Sequence, residues 1–169
     1  DASTAHRTAS DWVFGLPELA ADQRARIRAS KRIANPGCHS TGFILLARPL
    51  VDAGLVSTTA LLSATSITGY SGGGKKMIEQ YEAGGDPRLD SPRPYGLKLT
   101  HKHLPEMAMH SRLESAPVFM PIVGKFLKGL SVAVPLHLAT LKRGTSADHL
   151  HAALSERYAG ERFVRVMPL

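Results

Sequence analysis

The stretch Ala34-Asn35-Pro36-Gly37-Cys38-His39-Ser40-Thr41-Gly42, running straight into Phe43-Ile44-Leu45-Leu46, decides the reading of this chain. Pro36 and Gly37 make a tight turn that delivers Cys38, the only cysteine, to the first turn of a helix. The N–H groups there have no intrahelical acceptor, and together with the helix dipole they favour negative charge. Such a position populates the nucleophilic thiolate and receives anions such as phosphate. A lone thiol can neither close an intramolecular disulfide nor build a thiolate metal site. Cys38 therefore reads as a nucleophile placed where an anionic substrate docks, against the alternative of a small buried hydrophobe.

Downstream of the turn, Phe43, Ile44, Leu45, Leu46, Leu50 and Val51 give residues 41–53 a broad helical stripe, stopped at Gly54. Upstream, residues 31–34 read as a short strand, and Pro17-Glu18 opens a helix through about Ile27. Residues 61–68 read as a strand ending in a glycine-rich turn, with a short helix over 75–81. Residues 84–94 form a loop, 95–100 an edge segment, and 105–109 the start of another helix. Strands are expected at 119–122, 130–134 and 137–141, then a helix over 146–158. Ser146 is its N-cap, with His149 standing where Glu or Gln would complete a capping box. This order predicts an α+β fold, a mainly antiparallel mixed sheet packed with helices.

A chain of 169 residues can bury a core of its own, and 43% hydrophobic with 21% charged residues is an ordinary globular composition. No run approaches the roughly 20 apolar residues of a membrane span, and no basic-then-apolar opening marks a secretory signal. A single cysteine fits a reducing compartment, so a cytoplasmic location is expected. The net charge is +7 and the pI about 9.9. The basic residues come as scattered pairs (Lys31-Arg32, Lys75-Lys76, Lys142-Arg143) with few aromatics between them. That pattern argues against nucleic acid and suits a small anionic substrate or a phosphorylated cofactor. The chain opens on Asp1 without Met, and residues 163–166 read as a strand that should lead onward. The expectation is a piece of a longer polypeptide.

Two further segments carry chemistry. In Ser71-Gly72-Gly73-Gly74-Lys75-Lys76, between a strand and a helix, glycines let backbone N–H groups approach a phosphate or carboxylate. The spacing matches neither a P-loop nor Gly-x-Gly-x-x-Gly, and a plain flexible loop remains open. In Thr100-His101-Lys102-His103-Leu104-Pro105-Glu106 the two histidines project from one face if the segment is extended. Zinc would need a third ligand at fitting spacing that is not evident, so no metal is expected. One imidazole can instead take the Cys38 proton and later return it, the other orienting substrate, with solvated surface histidines as the bland alternative. His6, His39, His110, His137, His149 and His151 lack such context and read as surface or structural.

Together these segments resemble N-acetyl-gamma-glutamyl-phosphate reductases of the second, shorter type. The resemblance rests on Asn35-Pro36-Gly37-Cys38-x-x-Thr41, Gly69-Tyr70-Ser71-Gly72-Gly73-Gly74-Lys75 and His101-Lys102-His103-x-Pro105-Glu106. Asp1-x-Ser3-Thr4-Ala5-His6-Arg7 and Phe14-Gly15-Leu16-Pro17-Glu18-Leu19 add two more motifs. His39-Ser40 departs from the usual Tyr-Pro or Tyr-Ala, and Phe14 from the usual Tyr. The resemblance implies a catalytic and dimerisation domain over residues 1–169, folded as in glyceraldehyde-3-phosphate and aspartate-semialdehyde dehydrogenases. It also implies an NADP-binding Rossmann domain that is not in this chain, so that the chain alone is inactive.

The implied reaction is NADPH-dependent reduction of N-acetyl-L-glutamyl 5-phosphate to the semialdehyde and phosphate through a Cys38 thioester, in arginine biosynthesis. His101 is the implied acid/base, with His103 close behind. Arg7, Asn35 and Ser71 are expected at the substrate, and Ser71, Gly72 and Gly73 at the cofactor. The expected partners are this small acyl phosphate and a second copy of the chain, as homodimer or homotetramer, with no nucleic acid and no membrane. A related acyl-phosphate or semialdehyde dehydrogenase, or a non-catalytic dimerisation module, are the alternatives.

Overall fold

The helix that follows Cys38 is the piece on which the rest packs. The computed structural model describes residues 2–169; Asp1, which opens one of the motifs above, lies outside the described residues. Helix α2 (Cys38–Asp52) begins at the cysteine itself, three residues before the apolar stripe announces it. Phe43, Ala47, Leu50 and Val51 on its inner side meet Ala64, Phe119, Met107 and Leu113 in the main core, and Phe43 is fully buried. Pro49 lies inside this helix and has no N–H, so the Leu45 carbonyl four residues earlier loses its helical donor. The Tyr158 hydroxyl donates to that carbonyl at 2.6 Å, and burial pushes its pKa up, keeping it a donor. A proline that would otherwise leave an unpaired buried oxygen is thus answered from the end of the last helix.

Around α2 lie β1 (Val13–Phe14), α1 (Gln23–Ala29) and β2 (Ile33–Ala34), with β1 and β2 paired in parallel. The main sheet contains β3 (Ser63–Gly69), β4 (Arg93–Pro94), β5 (Val118–Gly124) and β6 (Leu130–Ala133), in the order β4-β5-β3-β6. Its central pair, β3 and β5, runs parallel from Ser63↔Val118 to Gly69↔Gly124, while both flanking pairings are antiparallel. Helices α3 (Lys75–Ala83) and α4 (Leu104–Ser111) lie in the β3-to-β5 crossover, and α5 (Ala147–Arg157) packs beside α2. The result is the expected α+β fold with a mixed sheet.

Side chains alternate along these strands. Ala64, Ser66 and Thr68 of β3 and Phe119 and Val123 of β5 are buried on the side that α2 covers. Ile67, Val118 and Met120 lie on the other side, 39%, 58% and 44% exposed.

Several elements differ from the sequence reading, each for a local reason. Residues 17–22 form turns, and α1 starts only at Gln23, because Leu16 and Leu19 both enter a cluster with Phe14 and Ile44. The edge strand is Arg93–Pro94 rather than 95–100, since Gly96 and Leu99 take positive φ and end the extended run. Residues 137–141 make a 3-10 turn in which the Thr140 hydroxyl donates to the His137 carbonyl at 2.8 Å. Residues 163–166 find no strand to pair with among the described residues. His149 does complete the capping box of α5: its Nδ1 accepts from the Ser146 N–H at 3.2 Å, and the Ser146 Oγ accepts from the His149 N–H at 3.3 Å.

Candidate active site

Gly37 is the N-cap of α2, with φ −71° and ψ 146°, and this backbone alone would admit any residue. What demands glycine is crowding. A Cβ there would overlap His103 Nε2 and fall 2.6 Å from Glu106 Oε1. The start of α4 is therefore pressed onto the turn that carries Cys38. Glu106, 1% exposed, accepts the Gly37 N–H through Oε2 at 3.1 Å, and its Oε1 accepts from Arg7 Nη1 at 2.9 Å. A buried carboxylate is tolerated only when paired and hydrogen-bonded, and here both oxygens are used. The Gly37 carbonyl in turn accepts from Thr41 N–H and from the hydroxyls of Ser40 and Thr41, at 2.8–2.9 Å.

Cys38 is exposed and opens onto a cavity of about 630 Å³ lined also by His39, His101, Lys102 and His103. Arg93, Tyr95, Gly72, Gly73, Met77 and Gln80 complete most of the rest. Thr68 and Val123 contribute from near the carboxyl ends of the parallel strands. Two cations and no carboxylate line this space, which favours an anionic ligand.

Three imidazoles cluster at its floor, with ring centroids 4.6 Å apart for His101 and His103 and 5.5–5.6 Å from each to His39. Residues 101–103 form a turn rather than an extended segment, so the two rings meet edge to face across the turn. The His103 N–H donates to His101 Nδ1 at 3.2 Å, which places the His101 proton on Nε2. Burial, then the Lys102 charge, lowers the His101 pKa. Burial, then His101 and the other neighbouring cationic groups, lowers His103 to about 3, and its Nδ1 is buried without a partner.

His39 is the residue that the sequence reading set aside. It is buried, with Nδ1 2.8 Å from Ser66 Oγ and Nε2 2.8 Å from the Tyr95 hydroxyl, and burial followed by the His101 charge lowers its pKa to about 4. The Tyr95 hydroxyl lies close enough to Cys38 that burial, then the thiolate charge, raises its pKa to about 12. The signal for both was their period: His39 follows the cysteine on the inner face of α2, and Tyr95 extends β4 by pairing its N–H with the Pro121 carbonyl at 2.9 Å.

Cys38, His101, His103, Gly72 and Gly73 are brought together as expected from the sequence; other expected residues lie apart. Arg7 lines a separate cavity of about 180 Å³, with its charge on Glu106. Asn35 is exposed on the turn and does not line the cavity. Ser71 is also absent from the cavity wall: its N–H donates to the Leu127 carbonyl at 3.0 Å, and its carbonyl accepts from Gly74. The glycine turn is packed on its own chain, since a Cβ on Gly69 would meet the Phe126 and Leu127 carbonyls at 2.7 Å.

The family described as "Semialdehyde dehydrogenase, dimerisation domain" matches residues 38–169. The chain belongs to this family. An aspartate semialdehyde dehydrogenase II from Vibrio cholerae superposes with a TM-score of 0.67 at 18% identity, covering 89% of this chain and 50% of that one, a likeness of fold. Over its whole length the chain is 46% identical to N-acetyl-gamma-glutamyl-phosphate reductase 2 of Pseudomonas putida, covering 54% of that protein. It is 48% identical to N-acetyl-gamma-glutamyl-phosphate reductase of Rhizobium meliloti, covering 55%. The chain thus spans about half the length of the curated relatives it matches. In this dimerisation-domain family member no helix of the described residues is long and apolar enough to cross a membrane.

The buried imidazoles set a stability prediction. His39 and His103 keep their protons less readily in the folded chain than in the unfolded one, whose histidines titrate near pH 6.5. Below that pH the unfolded state binds more protons, so stability falls as pH drops toward the folded values of about 4 and about 3. Melting temperature should therefore decline from about pH 6.5 to about pH 5, a window in which ordinary carboxylates stay mostly ionised. His39→Asn should flatten that slope, and a melting temperature constant across the window in the unmodified chain would contradict it.

Proposed function

We propose that this chain supplies the catalytic half of an NADPH-dependent acyl-phosphate reductase acting on N-acetyl-L-glutamyl 5-phosphate, a step of arginine biosynthesis in the cytoplasm. One observation carries the reading: an exposed cysteine at a helix N-terminus shares an anion-favouring cavity with three imidazoles, those of His39, His101 and His103. The names of the relatives choose the substrate within that chemistry.

Cys38 Sγ attacks the acyl carbon and phosphate departs, leaving a thioester. The leaving phosphate lies beside the unpaired N–H groups of the first turn of α2, where negative charge is stabilised. His101 takes the thiol proton and gives it to the acyl oxygen as the thioester is reduced to a thiohemiacetal on Cys38. It takes the hydroxyl proton back as the C–S bond breaks, so that the semialdehyde leaves and the proton returns to Sγ. His101 suits this role better than His103. Its Nδ1 is fixed by a backbone N–H, whereas His103 is 5% exposed and its lowered pKa of about 3 makes it a poor proton acceptor near neutrality. His103 instead packs on the Gly37 turn and orients the site.

In this reading the cavity takes the nicotinamide end of the dinucleotide. Gly72, Gly73 and the apolar Met77 line the cavity where the ring would lie, and no glycine-rich dinucleotide fingerprint occurs in the sequence. When bound, the reduced nicotinamide supplies a hydride; the parts that hold its pyrophosphate belong to a Rossmann domain beyond residues 1–169. Isolated, the chain should show no reductase activity.

The second copy is assigned to the outer sheet face, where Ile67, Val118 and Met120 leave an apolar surface that no helix of the described residues covers. Two-fold pairing of such faces is the commonest way to bury them.

Two predictions follow from these roles. In the complete polypeptide, Cys38→Ser should abolish reduction while NADPH binding persists, and His101→Asn should lower kcat by about 10²–10⁴. His103→Asn should cost clearly less, and equal small losses at both histidines would remove the acid/base assignment. In sedimentation at micromolar concentration the chain should run as a dimer, shifted to monomer by Met120→Asp, and a monomeric unmodified chain would refute the assembly.

A further inference from the structure

The cavity that holds Cys38 also holds an arginine, Arg93, that forms no ion pair among the described residues. Arg93 pairs with Val123 in the sheet, and Tyr95 follows two residues on with its N–H on Pro121. Side chains two apart on an extended strand share one face and stand about 6.6–6.8 Å apart. Both therefore project onto the inner side of the sheet, and both line the cavity. The Tyr95 hydroxyl reaches His39 beside Cys38, which sets Arg93 one strand repeat away from the thiol end.

Arg93 is rigidly held and incompletely used. Its guanidinium lies over the Tyr81 ring at 5.6 Å, and Nη2 donates to the Tyr81 hydroxyl at 3.1 Å. Tyr81 in turn stacks on Tyr70, with centroids 4.6 Å apart and planes at 9°. Nε is buried without a hydrogen-bond partner. Among the described residues no carboxylate forms an ion pair with Arg93, and Asp86, which feels its charge, is already held by Arg88 Nε and Nη2 at 2.9 Å each. Arg7 also has a buried, unpartnered Nε, but its charge is matched by Glu106 and it faces the smaller cavity. A buried unsatisfied donor on a fixed cation calls for a ligand.

We propose that Arg93 binds the carboxylate at the far end of the substrate, fixing a dicarboxylate-derived acyl phosphate with its reacting carbon at Cys38. The inference rests on the acyl-phosphate reading of the same cavity. The phosphate is bonded to the carbon that Cys38 attacks and so belongs at the start of α2. The second anionic group must lie several bonds away, in the direction of Arg93. A planar guanidinium meets a carboxylate through two parallel hydrogen bonds, which gives selectivity as well as affinity. Arg93 thereby selects acyl phosphates that carry a distal carboxylate.

The test is protection of Cys38 from iodoacetamide in the complete polypeptide, followed on the peptide containing Cys38. The probes are N-acetyl-L-glutamate, its α-methyl ester and inorganic phosphate. N-acetyl-L-glutamate should protect the unmodified protein, and the ester should protect far less. Arg93→Gln should raise the half-protecting concentration of N-acetyl-L-glutamate by about 10–100-fold, the range of a charge-assisted pair, and leave phosphate protection unchanged. Arg93→Lys, which keeps the charge without the fork, should give a smaller rise; it carries the test if Arg93→Gln does not fold. Tyr81→Phe removes only the shelf hydroxyl and should change protection by no more than about threefold on the scale of one neutral hydrogen bond.

Protection in Arg93→Gln equal to the unmodified protein would overturn the proposal. So would equal protection by the ester, or loss of phosphate protection instead of carboxylate protection. A reductase assay on the same preparation separates the two claims. Carboxylate protection that depends on Arg93 without acyl-phosphate reduction counts against the reductase reading alone. Turnover with Arg93-independent protection counts against this inference alone.

Discussion

The close approach of α4 to the Gly37 turn is the constraint on which the site depends. Glu106 joins three segments distant in sequence: Arg7 near the start, the Gly37 N–H before Cys38, and helix α4, which follows the turn that carries His101 and His103. Breaking a buried ion pair by removing one partner typically costs about 3–5 kcal/mol. The pairing therefore fixes the position of α4 against α2 firmly enough to register a thiol against two imidazoles. Phe43 and Met107, both fully buried, continue the same contact into the core. The geometry of the candidate site and the hydrophobic core are one structure here, read from its two ends.

Burial then decides the electrostatics. The rings of His39, His101 and His103 are desolvated together, and this burial is the first cause that lowers all three pKa values; the His101 charge adds to it at His39 and His103, and the Lys102 charge at His101. Neutral rings can donate from one nitrogen and accept at the other. The positive charge of the cavity resides instead on Arg93 and Lys102. In the proposed reaction this division leaves proton transfer to imidazole and anion binding to fixed cations. It also explains how a chain of net charge +7 carries a small-ligand site without a basic stripe on its surface.

Much of this was legible in the sequence because the decisive signals are local. Pro36-Gly37 before an apolar helix gives the thiol its place, and Ser63–Gly69 ending in glycines gives the strand and its turn. What escaped depends on contacts far apart in the chain. Gly37 is required by His103 and Glu106, not by its own φ and ψ. His39 reads as surface or structural in the sequence because its partners, Ser66 and Tyr95, arrive from distant segments of the main sheet. Arg7 reads as an open cation until Glu106 closes on it, and Ser71 as a cradle until the Leu127 carbonyl takes its N–H. The turns at residues 17–22 and 137–141 carry helix-like and strand-like residues whose burial or hydroxyl bonding overrides propensity.

The central claim is that the α4-to-Gly37 contact aligns Cys38 for acyl transfer, and trapping the acyl-enzyme tests it most directly. The complete polypeptide would be mixed with N-acetyl-L-glutamyl 5-phosphate without reductant, and the peptide containing Cys38 weighed by mass spectrometry as phosphate is released. The account predicts one N-acetylglutamyl group on Cys38 in the unmodified protein. It predicts a Gly37→Ala variant that folds but acylates at least tenfold more slowly, because its Cβ displaces His103 and Glu106. An unmodified protein that releases phosphate without acylating Cys38, or a Gly37→Ala variant that acylates at the unmodified rate, would contradict it.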